Sequence, residues 1–425
     1  MEVTHTHRHK LKTGIQRVVR KIAFELSEAA LRTGNDFQLI VADPASAETP
    51  VPLETQEFLT GRPKHVRPAS PNLVFESKRY SAFRGLWRFI KRIDFLNLLS
   101  SRFLRTIAER VIALLFMSEV RKLNNDTSAS FEFKDGDVVL FADAFWGEPY
   151  SSLSMAIRAK KSGAKAIFLI NDIFPISHVE FVDPPNRVDF EECLPRALNI
   201  ADGILYPSNE TKMELEKHCF TSGIDVPHAK VFYGADLDET SWIYEGAKRA
   251  PNSIVMVGTV EPRKNYRLVL KWFLSQADPK VSLTIIGKDG WLNEELAEAM
   301  DRESKVNKKF RWIKNASDSD IVYEMLHHEI GLFASHAEGL GLPVLEYNRF
   351  GLKLVLNDVP IFREVAGDSA TYFNGSSVES LDRAIRRAFQ LREVNSIPNV
   401  AWSDTAEEIL EFLLTNYHKQ TNEVL

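Results

Sequence analysis

Short apolar runs, each followed by a polar loop and then a segment with helical spacing, set the rhythm of this chain. The runs at 138–142 (VVLFA), 166–170 (AIFLI), 203–206 (GILY), 253–257 (SIVMV), 283–286 (LTII), 329–333 (EIGLF) and 354–356 predict strands buried on both faces. Alternating with amphipathic helices, they indicate parallel sheets covered on each side. Ile15, Val18, Val19, Ile22 and Leu26 keep helical spacing, and Gly34 closes that helix. No period of 20–50 residues recurs, which argues against a solenoid. A polar stretch at 236–252, with Pro251 just before a new strand, separates one α/β unit from another. Two such units joined by a short linker leave a cleft between facing strand ends.

Ligands of open α/β sheets bind beyond the carboxyl ends of the strands. The residues expected there are Asp143, Trp146, Asn171, Asp172, Ser208, Gly234, Gly258, Glu261, Gly287, Lys288, His336 and Glu338. Any single Asp or Ser among them reads equally well as a helix cap. Two segments break the alternation. The proline-rich stretch 44–73 reads as loop. The stretch 75–125 reads as long helices, with nine Lys/Arg between Lys78 and Arg110 against only Asp94 and Glu109. Phe83, Trp87, Phe89 and Leu96 interleave with that charge. This fits a helix lying in an anionic membrane interface at about 75–110; it also fits an insertion packed on the first domain with its basic side in water.

Composition narrows the function classes. The 425 residues exceed one ordinary core and suggest two or three domains. With 53 basic and 58 acidic side chains the net charge is −5, so the whole molecule is not a general nucleic-acid binder. Cys193 and Cys219 are too few for a disulfide scaffold, lack metal-ligand spacing, and fit a reducing compartment as core residues. No apolar run approaches the roughly 20 residues of a membrane span, and MEVTHTHRHK has no apolar signal core. A cytoplasmic protein is expected.

Three motifs carry candidate chemistry. In Lys12–Arg20 (KTGIQRVVR), Thr13 and Gly14 stand at a helix start, where free N–H groups favour an anion. Thr-Gly before a helix is also an ordinary cap. In 257–265 (VGTVEPRKN), Gly258 follows a strand, and adjacent Arg263 and Lys264 can neutralise a diphosphate. Charge-assisted bonds of that kind contribute roughly 1.5–3 kcal/mol each when sheltered. A solvated basic loop is the bland alternative. In 336–346 (HAEGLGLPVLE), Glu338 and Glu346 bracket a glycine loop and a helix that Pro343 opens, with Glu346 in its first turn. One carboxylate can accept from sugar hydroxyls and the other from ribose hydroxyls. Between them Gly339, Leu340, Gly341 and Leu342 offer backbone N–H groups. Asp318-Ser319-Asp320 has the look of a metal-binding DxD, but Ser317 with Asp320 reads better as a helix cap. The HTHRH run could bind a metal or contact the acceptor or donor, but reads best as solvated surface.

These residues resemble the family-4 retaining glycosyltransferases of the GT-B fold, whose signature is two glutamates eight residues apart in an EGFGLPVLE-like segment. Glu338 and Glu346 match those glutamates, and Arg263 and Lys264 match the family's donor-diphosphate pair. The opening VTHTHRHKLKTGIQRVVR resembles a subgroup common in bacterial O-antigen and capsule assembly, often mannosyl- or rhamnosyltransferases. The resemblance implies two facing Rossmann-like domains with a cleft between them. An acceptor domain would span 1–240, with the basic insertion at about 75–125, and a nucleotide-sugar domain 250–400. A C-terminal helix in 401–425 would cross back to the first domain. It also implies a nucleoside-diphosphate-sugar donor, GDP-mannose by subgroup frequency, with no metal and no other cofactor. The implied acceptor is a lipid-linked saccharide at the cytoplasmic face of the inner membrane. Arg263, Lys264 and the Gly14 helix start would stabilise the leaving diphosphate, while Asp143 and Asp172 are candidates for holding the acceptor or the developing cation. Two departures stand out. Asn171 replaces the family's usual His, which bears on sugar preference. Met1 falls in the middle of the family's first strand, which suggests a displaced start or a trimmed sheet edge. A nucleotide-sugar epimerase, a glycan phosphorylase and a non-catalytic membrane-associated scaffold are the competing readings.

Overall fold

The computed structural model describes residues 1–9, 14–42, 50–60, 131–146, 151–220, 222–235, 248–275, 280–291, 294–392 and 396–417. The basic segment 75–125, Thr13, and most of the expected linker lie outside these residues.

Strand β1 (Leu39–Ala42) pairs antiparallel with β2 (Pro50–Leu53). Strands β3 (Val138–Phe141), β4 (Lys165–Leu169), β5 (Gly203–Tyr206) and β6 (His228–Lys230) form a parallel sheet in that order. Glu2 joins the two groups, bridging in parallel to Ile40 on one side and Phe141 on the other. The opening residues therefore lie between the two groups: Glu2 N donates to Leu140 O at 2.9 Å and Val3 N to Ile40 O at 3.1 Å. The stretch 44–73, expected as loop, contains β2 and the helix Thr55–Thr60. Prolines are tolerated in β2 because, among the described residues, β1 is the strand it pairs with. Phe131 N donates to Pro50 O at 2.8 Å, so residues 50 and 52 turn their backbone groups away from β1, where a missing N–H costs no ladder bond.

The second sheet contains β7 (Ser253–Val257), β8 (Ser282–Ile286), β9 (Phe310–Ile313), β10 (Ile330–Phe333), β11 (Lys353–Asn357) and β12 (Ala370–Phe373). Its order is β12-β11-β10-β7-β8-β9, parallel throughout. Ile254, Val255, Met256, Leu283, Ile285 and Leu332 are fully buried in it. The helix Tyr266–Leu274 covers it with Tyr266, Val269, Leu270 and Phe273, the i, i+3, i+4, i+7 stripe of an amphipathic helix. Each such side chain contributes roughly 1.5–3 kcal/mol on burial. Strand order reverses between β7 and β10, and that reversal is where an open α/β sheet has a crevice at its carboxyl edge.

The helix Trp402–Tyr417 follows the second sheet in sequence but packs on the helix Gly14–Thr33 beside the first. Thr405, fully buried, is its anchor: its hydroxyl accepts from Gly234 N at 2.9 Å and donates to Phe232 O at 2.9 Å. The Tyr417 hydroxyl donates to Asp202 O at 2.7 Å. Gly234 lies so close to Trp402 that a Cβ there would run into its backbone nitrogen. No helix among the described residues is long and apolar enough to cross a membrane.

Candidate functional site

Two loops meet at the strand-order reversal. After β7 the chain passes Gly258 and enters a 3-10 turn, Pro262–Lys264; after β10 it runs through His336 to the helix Leu342–Arg349. His336 N donates to Arg263 O at 2.8 Å and laces the loops together. Glu338 Oε1 lies 2.6 Å from Arg263 Nη1 and 2.7 Å from Lys264 Nζ, while Arg263 Nη2 lies 2.6 Å from Glu261 Oε1. The two cations are thus already matched by two carboxylates. The Arg263 guanidinium also lies 4.7 Å from the centre of the Phe174 ring, across from the first sheet, and Lys264 Nζ lies 4.6 Å from that of Phe333.

Burial and pairing pull these groups in opposite directions. Burial alone would raise the Glu338 pKa, but Arg263 and Lys264 outweigh it and hold it down at about 2. Burial lowers Lys264 despite the pull of Glu338. Arg263 ends above its ordinary value because Glu338 and Glu261 overcome the same desolvation. Asp172, after β4, is pushed up to about 6 by burial, with Arg263 pulling it down; its Oδ1 accepts from Phe174 N at 3.3 Å.

The glycine loop bridges the two lobes. Ser208 Oγ and Thr211 Oγ1 donate to Gly339 O at 2.6 and 3.2 Å. A Cβ on Gly339 would collide with the Asn171 carbonyl oxygen. Gly341, at φ 87°, turns the chain into its helix in a conformation that side chains with a Cβ resist. Leu340 is buried beneath the loop. Leu342, not Pro343, opens the helix, with Pro343 second. Glu346 is consequently the fifth helical residue and falls in the second turn, a correction to the first-turn expectation. From there it is buried against the first lobe: Arg17 Nη2 pairs with Oε1, while Oε2 is buried without a hydrogen-bond partner among the described residues. Burial raises the Glu346 pKa, and Arg17 partly offsets this.

Residues 243–402, which hold Gly258, Arg263, Lys264, Glu338 and Glu346, match the family model described as Glycosyl transferases group 1. That match falls on the second lobe. The chain is also similar to the serotype-specific mannosyltransferase WbdA of Escherichia coli, with 29% identity over 301 residues, covering 66% of this chain and 37% of that protein. The O-antigen chain mannosyltransferase B of Escherichia coli is 27% identical over 137 residues, covering 32% and 36% of the two chains. The chain thus spans little more than a third of the length of these curated relatives. Among solved structures, Anabaena Alr3699/HepE in complex with UDP and glucose gives a TM-score of 0.49 at 12% identity, covering 66% of this chain and 74% of that one.

Around the second lobe the other expected residues take varied places. Gly14 begins its helix in the open, with nothing near its missing Cβ. Asn171 accepts from the Tyr233 hydroxyl at 2.6 Å through Oδ1. Asp143 accepts from Thr6 N and Oγ1 and from Ala144 N, at 2.6, 2.9 and 2.8 Å, so it anchors the N-terminal helix Thr4–His9. The HTHRH run, expected as solvated surface, instead buries Thr6 and half-buries His5 and His7. Asp320 accepts from Ser317 N at 2.8 Å in a capping box, as the sequence suggests. Cys193 and Cys219 are half-buried and packed against the core of the first lobe. Sequence reasoning placed Glu261 at a strand end without a partner and gave no role to Arg17 or Glu364. Arg17 stands inside the quoted KTGIQRVVR motif, but nothing in one sequence pairs it with a glutamate 329 positions away. Glu364 accepts from the N–H groups of Asn209 and Glu210 at 2.8 and 3.1 Å, so the second lobe caps a helix of the first.

Proposed function

We propose that this protein is a retaining hexosyltransferase that moves mannose from GDP-mannose to a lipid-linked saccharide in cell-surface polysaccharide synthesis. The carrying observation is the convergence of Arg263, Lys264, Glu338 and a half-satisfied Glu346 at the strand-order reversal of the second lobe, where the group 1 match falls. In this reading residues 250–400 hold the nucleotide sugar and residues 1–240 the acceptor. The helix in 401–425 keeps the two in register.

The site residues then have separable tasks. The donor diphosphate takes Arg263 and Lys264 from their carboxylate partners, and Glu338, released from them, accepts from the sugar hydroxyls. The backbone N–H groups of Gly339, Leu340, Gly341 and Leu342 and the Gly14 helix start add donors toward the leaving group, and Gly258 lets the donor approach the backbone. As the glycosidic bond to the diphosphate lengthens, negative charge grows on oxygens facing these preorganised donors. Asp172, ionised above its raised pKa, faces the developing cation. The acceptor attacks from the side the diphosphate leaves, and the diphosphate oxygen takes its proton. The similarity to mannosyltransferases supports mannose, and the basic, aromatic segment at 75–110 supports a peripheral position on the cytoplasmic face of the inner membrane.

The test is transfer from a panel of nucleotide sugars to a lipid-linked saccharide, with the product anomer read by NMR. Lys264→Ala and Glu346→Ala are each expected to lower transfer by about 10²-fold or more with the melting temperature retained. Full activity in either variant overturns the site assignment.

A further inference from the structure

The Arg17–Glu346 pair has no task in the mechanism above, yet it crosses from one lobe to the other. Arg17 lies in the first turn of the helix Gly14–Thr33, and its side chain is 25% exposed; that of Glu346 is 3% exposed. The contact uses Oε1 alone, and Oε2 is buried without a partner among the described residues. A buried carboxylate with one oxygen held and the other unmet suits a hydroxyl-bearing ligand better than a structural pair, since buried ion pairs add little net stability. One turn on, burial lowers the pKa of Arg20, and the charges of Asp143 of the first lobe and Asp318 of the second partly offset it.

We propose that Arg17 is the positioning residue for the ribose of the donor: it holds Glu346 by Oε1 from the opposite lobe, leaving Oε2 to accept from a ribose hydroxyl. This rests on the reading that Glu346 serves the ribose. Because the holder and the held residue belong to different lobes, the ribose subsite is complete only when the lobes adopt the arrangement seen here. Donor affinity and lobe closure are thereby linked through one side chain.

The test compares binding of a nucleoside diphosphate with that of its 2′,3′-dideoxy analogue by calorimetry, on the full chain. The probe is whichever of GDP, UDP and ADP binds the unaltered protein most tightly. Arg17→Ala is expected to weaken the ribonucleotide about tenfold or more, the loss expected when a hydrogen bond to a charged group is misplaced. The dideoxy analogue should change by no more than about twofold on the same scale. Arg17→Lys, which can still reach a carboxylate as a point charge, should recover part of the loss. In turnover the donor KM should rise with kcat largely kept. Equal loss for both nucleotides, or no loss for either, overturns the proposal. Glu346→Gln separates the two levels. If it discriminates between the nucleotides and Arg17→Ala does not, only the role of Arg17 fails; if Glu346→Gln affects both alike, the ribose reading itself fails.

Discussion

Asp172 shows how much a single residue owes to its surroundings. In sequence it is one polar residue at a strand end, indistinguishable from a cap, and it does accept from Phe174 N. Burial lifts its pKa to about 6, which makes its charge depend on pH near neutrality. A proton is held below that value and lost above it. If the carboxylate faces the developing cation, kcat/KM for transfer rises with pH through about 6. Asp172→Asn should lower kcat/KM by about 10²-fold and abolish that rise. A pH profile unchanged in the variant assigns the titration to another group. Glu338 and Glu346 were legible as a pair because their spacing flanks a glycine loop. Their opposite electrostatic situations were not legible. Glu338 gains two cations from its own lobe, whereas Glu346 depends on an arginine far away in sequence.

At the scale of elements, the glycine loop 339–342 joins the lobes as much as it serves a ligand. Gly339 meets Asn171 O, and its own carbonyl takes hydrogen bonds from Ser208 and Thr211. Gly339→Ala therefore drives a methyl into the opposite lobe. Transfer should fall by about 10–10²-fold, since an ångström of misplacement costs that much, while nucleoside-diphosphate binding falls less. Equal losses in both measurements would show that the strain stays within the second lobe. The long apolar strands could be read directly, because β-branched runs buried on both faces carry their own signature. The strands β6, β9 and β12 could not. His228, Arg311 and Thr371 interrupt them, and neighbours in the sheet rather than local pattern hold them in place. The proline strand β2 was missed for the same reason, since its position at one side of β1 makes its prolines harmless.

The whole molecule is held together by contacts between residues far apart in sequence: Arg17 with Glu346, Glu364 with the helix Asn209–Cys219, and Thr405 with Gly234 and Phe232. Thr405 carries the most weight, because both of its partners are backbone groups and it is fully buried. Thr405→Val keeps the shape and leaves Gly234 N and Phe232 O unmet. It should cost about 1–3 kcal/mol, read as a lower denaturant midpoint, with transfer reduced as the crossing helix loosens from the first lobe. An unchanged midpoint would mean that packing alone fixes the helix.

The sequence by itself determined the parallel α/β layers and the placement of Arg263, Lys264 and Glu338 at strand ends, because hydrophobic period and local turn chemistry act over a few residues. Only the tertiary structure decided which partners those charges have. Glu338 shares two cations, Asp143 is consumed in anchoring the chain's start, and Glu346 is reached by Arg17 from across the cleft. Charge pairing depends on distance in space and on exclusion of water, and neither is a property of sequence separation.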